Sequence, residues 1–416
     1  MTDQPPQNDA LRSLKILAVL SILMSFASIS TDIYLPALPV IGKDLGADNG
    51  AVELTISSYL IGFSLGQLLW GPLGDQYGRR GPITVGLLLF ILGSTGCALS
   101  GSVGAMIGWR VVQAVGACAS VVLSRAMVRD LYVDHYAARM LSTLMTVMAV
   151  APLVGPSVGG LILHLASWPV IFWLLVIIGL LTIPALRLLP ETLPREKRTQ
   201  QSLGATLIAY GQLLRNRRLM GYAGIVGSFY GGMYAYIAGT PFAYISYHHV
   251  APQYYGVLFA IGIVGIMATN QINARLVGRL GLDRLMRFGA AAAAASGAVL
   301  ALDAYAGWGG LWGLALPLFV FVSATGFIVA NAITGALGCS PERAGAASAL
   351  LGMFQYGTGI LGSALVGYFA DGTPRPMACI IAFFGLGSLL GALCLASFRD
   401  GGPPATYSVP AAKPKD

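Results

Sequence analysis

The chain has 416 residues, of which 56% are hydrophobic and only 10% are charged. Soluble domains carry about 25% charged residues, so this composition excludes a soluble globular protein and indicates one that crosses a membrane several times. The formal net charge of +8 would suit a nucleic-acid partner, but the charges lie in short loops between apolar runs rather than on one face. We therefore expect the lipid bilayer as the surroundings and no nucleic acid as a partner.

Apolar runs long enough to cross the ~30 Å hydrocarbon core recur along the chain. Each run must be a helix, because hydrocarbon offers no partner for unpaired backbone groups. The first run is too long for the core of a signal peptide and is predicted to be a retained helix. The predicted fold class is an all-α polytopic membrane protein with twelve transmembrane helices. The predicted spans are 14–36, 52–72, 82–100, 106–126, 140–163, 169–189, 221–244, 254–274, 286–304, 311–334, 345–369 and 377–397.

The basic residues predict the orientation of these spans. If the N-terminus is cytoplasmic, all but three of the 25 lysines and arginines fall at cytoplasmic ends or in cytoplasmic loops. The exceptions are Lys43 and Arg375 on the other side and Arg110 inside the fourth span. This bias follows the positive-inside rule and predicts that both termini are cytoplasmic.

The longest connection, about residues 190–220, is polar and basic and divides the spans into six and six. Two six-helix halves joined in this way are typical of membrane proteins built from parallel repeats. Within the connection, 203–214 has the pattern of a short amphipathic helix on the membrane surface. The predicted units are an N-terminal half (1–189), a cytoplasmic linker (190–220), a C-terminal half (221–400) and a cytoplasmic tail (401–416).

Two charged residues stand well inside the predicted spans, away from the span ends: Asp32 in the first and Arg110 in the fourth. A charge at the bilayer centre costs roughly 2.5–3.5 kcal/mol on insertion scales and is a functional candidate by default. We predict that Asp32 carries a proton; the alternative is a helix cap in the headgroup region. We predict that Arg110 and Gln113 line a polar cavity and that Arg110 tunes proton affinity; the alternative is snorkelling to the outer interface. Glu53 and Asp303 are predicted near the outer surface.

Three stretches have the character of motifs. GPLGDQYGRR at 71–80 follows the second span, and its glycines permit a tight turn. Arg110, Gln113 and Gly116 share the fourth span. The fifth span contains APLVGPSVGG at 151–160, whose two prolines predict a bend. Its glycines, like Gly62 and Gly66 in the second span, predict close packing between helices.

These stretches resemble signatures A, B and C of the major facilitator superfamily, of which C is associated with antiporters. A closer likeness is to the bicyclomycin-resistance (Bcr/CflA) branch of drug:proton antiporters. The full antiporter signature has glycines where this chain has Ser142 and Ala151. The likeness covers most of the N-terminal half and little of the C-terminal half. The residues that carry it are STDIYLPALPVI (30–41), YLIGFSLGQLLWGPLGDQYGRRG (59–81), SRAMVRDLY (124–132), APLVGPSVGG (151–160) and GTPFAYI (239–245).

The resemblance implies a monomeric drug:proton antiporter of the bacterial inner membrane, driven by the proton gradient without a cofactor or metal. Asp32 and Arg110 would couple the proton. Asp75 would lock the outward-open state against the start of the eleventh span, near residues 342–346. The residues implied in gating are Gly71, Asp75, Arg79, Arg80, Pro152, Gly155, Pro156, Gly159 and Gly160.

Polar and aromatic side chains inside otherwise apolar spans are candidates to line a central cavity. Such a lining suits amphipathic drugs held by apolar contact and a few orienting polar groups. Packing within the bundle is the alternative for each tyrosine. The predicted substrate-binding residues are Tyr34, Tyr59, Gln67, Gln113, Tyr230, Tyr234, Asn331 and Gln355, and Tyr236, Asn270, Phe354 and Tyr356 are further candidates.

Two other functions compete with drug export. One is a dedicated metabolite or amino-acid exporter of the same fold. The other is a membrane enzyme, which would need a nucleophile with a base or a metal cluster at membrane depth. The chain has no histidine in mid-span and no GxxxxGK[ST] loop. We therefore expect neither an enzyme nor an ATP-driven pump.

Overall fold

A computed structural model describes residues 7–131, 134–194, 196, 198, 211–340 and 344–397. In this part of the chain the backbone is almost entirely helical. The long helices are α1 (Gln7–Asp32), α2 (Asn49–Tyr77), α3 (Arg80–Ala98), α4 (Val103–Leu131), α5 (Asp134–Leu165), α6 (Pro169–Ala185), α7 (Arg217–Pro241), α8 (Pro252–Leu280), α9 (Leu282–Ala306), α10 in two segments (Gly310–Ser323 and Thr325–Gly338), α11 (Ala344–Tyr368) and α12 (Arg375–Ser397). Most of the proposed surface helix at 203–214 lies outside the described residues.

Ten spans in the described chain are long and apolar enough to cross a membrane. The other two predicted spans correspond to α5, whose apolar part is Val150–Leu165, and to α7, which is rich in glycine and tyrosine. The twelve predicted spans are therefore all present as helices.

The first span is longer than predicted. Beyond α1 the chain continues through one 3₁₀ turn, Leu35–Ala37, and a short helix, Leu38–Asp44, so that the whole span is Lys15–Asp44. A proline lies in the first turn of each piece, where its missing N–H and fixed φ are tolerated. The prolines thus break the helix without ending the span.

The same pairs of helices pack in both parts of the chain. Within α1–α6, α4 packs against α2 and α3, and α3 against α6. Six helices later, α10 packs against α8 and α9, and α9 against α12. This correspondence supports the predicted repeat, and the exact boundaries at 189 and 220 stay predictions.

The two sets of six helices meet along two seams, α2 with α11 and α5 with α8. Glycines bring the backbones close together: a Cβ on Gly50 would overlap the carbonyl oxygen of Gly367, and one on Gly160 would lie 2.5 Å from the carbonyl oxygen of Pro252. The hydroxyls of Ser57 and Ser363 form a hydrogen bond across the first seam, with 2.8 Å between their Oγ atoms. Small residues are typical of contacts between membrane helices, because they let the backbones approach closely.

Successive helices alternate in direction, so the loops sort to two ends of the bundle. One end, which we call the basic end, holds Arg79, Arg187, Arg217 and Arg279 at or beside helix termini. The other end, here the opposite end, holds the starts of α2, α6 and α8. The Gly50–Gly367 and Gly160–Pro252 approaches both lie near the opposite end.

Candidate functional site

Asp32 lies at the centre of the bundle. It is the last residue of α1 but falls near the middle of the 30-residue span Lys15–Asp44, and only 7% of it is exposed. The alternative of a cap in the headgroup region does not fit this position. A carboxyl group held at mid-span is the arrangement that makes a membrane acid a functional candidate.

The surroundings of Asp32 come from both sets of helices. A Cβ on Gly155 of α5 would lie 3.2 Å from the Asp32 Cβ. Across the interface, Tyr234 and Tyr236 of α7 and Tyr255 of α8 lie within electrostatic range of its carboxylate. Among the residues that the structure describes, none forms a hydrogen bond or an ion pair with this carboxylate. The carboxylate therefore has no described partner that would fix its charge, and its role as the proton carrier stays a prediction.

Arg110 is fully buried, so it does not snorkel to an interface. Its Nη1 donates to the Ser30 carbonyl oxygen at 3.0 Å and to Gln113 Oε1 at 2.6 Å. Its guanidinium carbon lies 4.6 Å from the ring centroid of Tyr34 and 4.3 Å from that of Tyr59. We call these residues, Ser30, Tyr34, Tyr59, Arg110 and Gln113, the arginine pocket. Aromatic faces and a carbonyl together stabilise the buried cation.

The arginine pocket contacts the segment that carries Asp32, but no described hydrogen bond or ion pair joins the pocket to the Asp32 side chain. Ser30 precedes Asp32 by two residues, and its Oγ bonds to the Tyr59 hydroxyl at 2.6 Å. In the described part of the chain Arg110 forms no ion pair, and its Nε and Nη2 have no hydrogen-bond partner. Arg110 therefore fixes the backbone of α1 beside the acid, and its effect on proton affinity stays a prediction.

We expect the substitution Arg110→Lys to lower the free energy of unfolding by about 2–3 kcal/mol and to reduce transport at least about tenfold. A lysine ammonium is a point charge that cannot stack on two rings while donating to Ser30 and Gln113. Thermal unfolding in detergent and flux in liposomes measure the two effects. The exposed Arg187→Lys is the matched control and should change neither. Wild-type behaviour of Arg110→Lys would contradict this role.

A row of aromatic rings connects the arginine pocket to the C-terminal set of helices. The centroid distances are 6.5 Å from Tyr59 to Phe63, 5.2 Å from Phe63 to Tyr356, 6.3 Å from Tyr356 to Tyr234 and 6.2 Å from Tyr234 to Tyr230. We call these five residues the aromatic row. It crosses between the two sets, so the structure brings Tyr59, Tyr230 and Tyr234 together as predicted cavity residues.

The predicted amides are placed in different surroundings. Gln67 faces Gly352 of α11 across the seam, and Gln355 is half-buried next to Tyr356 in sequence. Asn331 lies elsewhere: its Nδ2 donates to Asn273 Oδ1 of α8 at 2.7 Å, and only 1% of it is exposed. The Asn331 amide is thus satisfied within the C-terminal set, and the structure does not bring it to the aromatic row.

The motif at 71–80 forms a charged network at the basic end. Arg79 donates to Asp75 Oδ1 at 2.6 Å and to Asp130 Oδ2 at 2.9 Å. Glu191 accepts from the backbone N–H groups of Arg79 and Arg80 at 2.8 and 3.1 Å, which caps the start of α3. Burial by itself lowers the pKa of the Arg79 guanidinium, but the carboxylates of Asp130 and Asp75 outweigh burial and raise it. The cation therefore stays charged.

The described contacts of Asp75 lie within the N-terminal set. Its side chain is half-exposed and pairs with Arg79. The predicted partner segment at the start of α11 falls partly outside the described residues, which lack 341–343. A Cβ on Gly71 would meet no atom within 4 Å. The locking role of Asp75 stays a prediction.

The motif at 151–160 packs α5 against two neighbours. Pro152 and Pro156 both lie inside the helix. A Cβ on Gly159 would overlap the carbonyl oxygen of Ile33, the residue after Asp32, whereas Gly160 packs against the start of α8. The motif therefore holds the segment beside Asp32 and the second seam at once.

Sequence reasoning missed three features of this region. Glu53 lies at the start of its span as predicted, but it is only 3% exposed, and this burial was not predicted. Phe63 belongs to the aromatic row, and Arg125 lies within electrostatic range of Tyr230 and Tyr356. Glu53 shares a helix face with polar Ser57 and Gln67, and this helical spacing would have indicated a buried polar stripe.

The comparisons with known proteins agree with this architecture. The model of the Major Facilitator Superfamily matches residues 20–363. The chain is 39% identical over 356 residues to the uncharacterized MFS-type transporter YdgK of Bacillus subtilis, covering 85% of this chain and 88% of that protein. It is 32% identical to a bicyclomycin resistance protein homolog of Haemophilus influenzae, covering 83% and 87%.

More distant proteins extend the likeness. A chloramphenicol resistance protein of Pseudomonas aeruginosa is 29% identical, covering 81% of this chain and 79% of that protein. Among solved structures, the xylose transporter XylE of E. coli in a partially occluded inward-open conformation superposes with a TM-score of 0.71 at 16% identity, covering 93% of this chain and 97% of that one. This last likeness supports the fold alone. The chain belongs to the Major Facilitator Superfamily, has its twelve-helix fold, and is a membrane transporter of the bicyclomycin-resistance branch.

Proposed function

We propose that the protein exports drugs or small amphipathic compounds in exchange for protons. The observation that carries the proposal is Asp32, a mid-span carboxyl group without a described partner that faces tyrosines of α7 and α8 across the interface. An unpaired charge at this depth is costly, so the group takes up a proton whenever water is excluded and releases it when water enters.

The basic end is the cytoplasmic end in this proposal, because lysine and arginine collect in cytoplasmic loops. The membrane in this proposal is the bacterial inner membrane. The backbone approaches at Gly50–Gly367 and Gly160–Pro252 then close the periplasmic side. In this proposal the arrangement described above is a state closed on the periplasmic side.

The aromatic row makes the proposed substrate site mainly apolar, with a few polar groups. Five stacked or tilted rings offer apolar contact area from both sets of helices, and the tyrosine hydroxyls offer a few polar anchors. Because Asp32 lies near Tyr234, a bound compound and a bound proton compete for the same region. The proton gradient supplies the energy, and no cofactor takes part.

The test is transport by purified protein in liposomes with an imposed pH gradient. The probes are chloramphenicol and bicyclomycin, chosen from the names of the relatives, together with a panel of amino acids. We expect drug movement against its gradient that stops when the pH gradient is collapsed with an ionophore. Transport of one amino acid and of no drug would instead establish the dedicated exporter, and drug movement insensitive to the pH gradient would contradict proton coupling.

A further inference from the structure

Glu53 is a second buried acid that the proposed mechanism leaves unused. It lies one turn into α2, near the opposite end of the bundle, and only 3% of it is exposed. Its Oε2 has no hydrogen-bond partner among the described residues. A Cβ on Gly367 of α11 would lie 3.4 Å from the Glu53 Cβ, so this acid is part of the α2–α11 seam.

A small cavity of about 20 Å³ adjoins the Glu53 side chain. Its walls come from both sets of helices: Asn49 and Glu53 from α2, Gly239 from α7, Val366 from α11 and Met377 from α12. A cavity of this size accommodates about one water molecule and no drug. The acid therefore lies inside the closed seam, separate from the aromatic row and from Asp32.

The charged and titratable groups near Glu53 do not stabilise its ionised form. Asp48, just before α2, lies within electrostatic range and repels a second negative charge. Tyr247, beyond α7, lines the cavity, and none of the described lining residues of α11 and α12 is charged. An ionised carboxylate buried without a cation costs several kcal/mol, so the closed seam requires a neutral, protonated Glu53.

We propose that Glu53 is a second proton-binding site, and that the α2–α11 seam closes at the opposite end only when this site holds a proton. Opening the seam exposes the carboxyl to water on that side, where the proton passes to bulk solvent. The proton returns from the same side, so Glu53 does not carry it across the membrane. The inference rests on the proposed function for its place in a proton-driven cycle.

The sign of the pH dependence follows from this exchange. Closure takes up one proton, so the closed seam is favoured at acidic pH and is lost as the pH on that side rises. For one proton, the ratio of closed to open molecules changes by up to about tenfold per pH unit. A drug:proton antiporter would thereby close its outer side most readily where protons are abundant.

Electron spin resonance distances on the full chain in lipid nanodiscs test the proposal. Nitroxide labels are attached at Lys43→Cys and Tyr368→Cys, two exposed positions at the opposite end on either side of the seam, after replacement of the five native cysteines. The wild-type seam should show one short distance at about pH 5 and a growing population of longer distances towards about pH 9. Glu53→Gln, which mimics the protonated form, should keep the short distance at every pH.

Two further variants separate this inference from the proposed function. Asp48→Asn and Asp32→Asn should both retain the pH response of the seam, and the measurement needs no drug and no flux. Absence of drug transport in liposomes would therefore contradict the proposed function without affecting the result at the seam. A pH response in Glu53→Gln equal to that of the wild type, or a wild-type seam that does not respond to pH, would overturn the proposal.

Discussion

The substitution Asp32→Asn is expected to abolish drug export driven by a pH gradient while leaving the protein folded. Asparagine has nearly the same shape as aspartate, so the packing against Gly155 remains. It cannot bind and release a proton, however, so no proton moves in exchange for the drug. The expected loss of uphill transport is at least about a hundredfold, which corresponds to roughly 2.7 kcal/mol.

A second measurement on the same variant identifies the step that fails. Exchange of labelled for unlabelled drug across the liposome membrane needs alternating access but no net proton movement. We expect Asp32→Asn to keep this exchange within about threefold of the wild-type rate, since the aromatic row is intact. Thermal unfolding should be unchanged, because the substitution removes no described hydrogen bond.

Two control variants make the result specific to this position. Asp32→Glu keeps a titratable group and should retain part of the uphill transport. Glu196→Gln removes an exposed acid near the basic end and should behave as the wild type. Robust pH-gradient-driven export by Asp32→Asn would remove Asp32 from the mechanism, and loss of folding would make it a structural residue.

The fold was predictable because the bilayer imposes simple rules on the sequence. Hydrocarbon forces each long apolar run to be a helix, and the alternation of basic residues fixes the number of crossings. Asp32 and Arg110 were conspicuous because charge is rare inside such runs. The first span was predicted too short, since Pro36 and Pro39 look like helix breakers in sequence, but each lies in a first turn that tolerates it.

Partners across the bundle were not predictable, because they depend on which helix faces which. Asn331 looks like a cavity residue in sequence, yet its amide is satisfied by Asn273 of α8. Glu53 looks like a boundary residue, yet α11 covers it. Phe63 has no polar atom to distinguish it from packing residues, and its place in the aromatic row follows from its contact with Tyr356. Local spacing can indicate that a residue is buried, but it does not identify the helix that covers it.

The glycine motif of α5 leads to the second large effect. We expect Gly159→Ala to lower the free energy of unfolding by about 2–3 kcal/mol and to reduce export to near background. A Cβ at this position would overlap the Ile33 carbonyl oxygen, which belongs to the backbone and cannot move aside like a flexible side chain. The helices must separate, and because Ile33 follows Asp32, the carboxyl group of Asp32 moves with them.

Gly71→Ala is the matched control for this prediction. It also adds one methyl group to a glycine predicted in gating, but no atom lies within 4 Å of that position. An alanine there should be neutral or stabilising by up to about 1 kcal/mol, since alanine favours helices over glycine. The two variants are compared by their thermal unfolding in detergent and by their drug flux in liposomes. If both variants behaved alike, the motif would not act through the close approach of α5 to the Asp32 segment. A large difference between them would show that the motif acts through packing beside Asp32 rather than through flexibility.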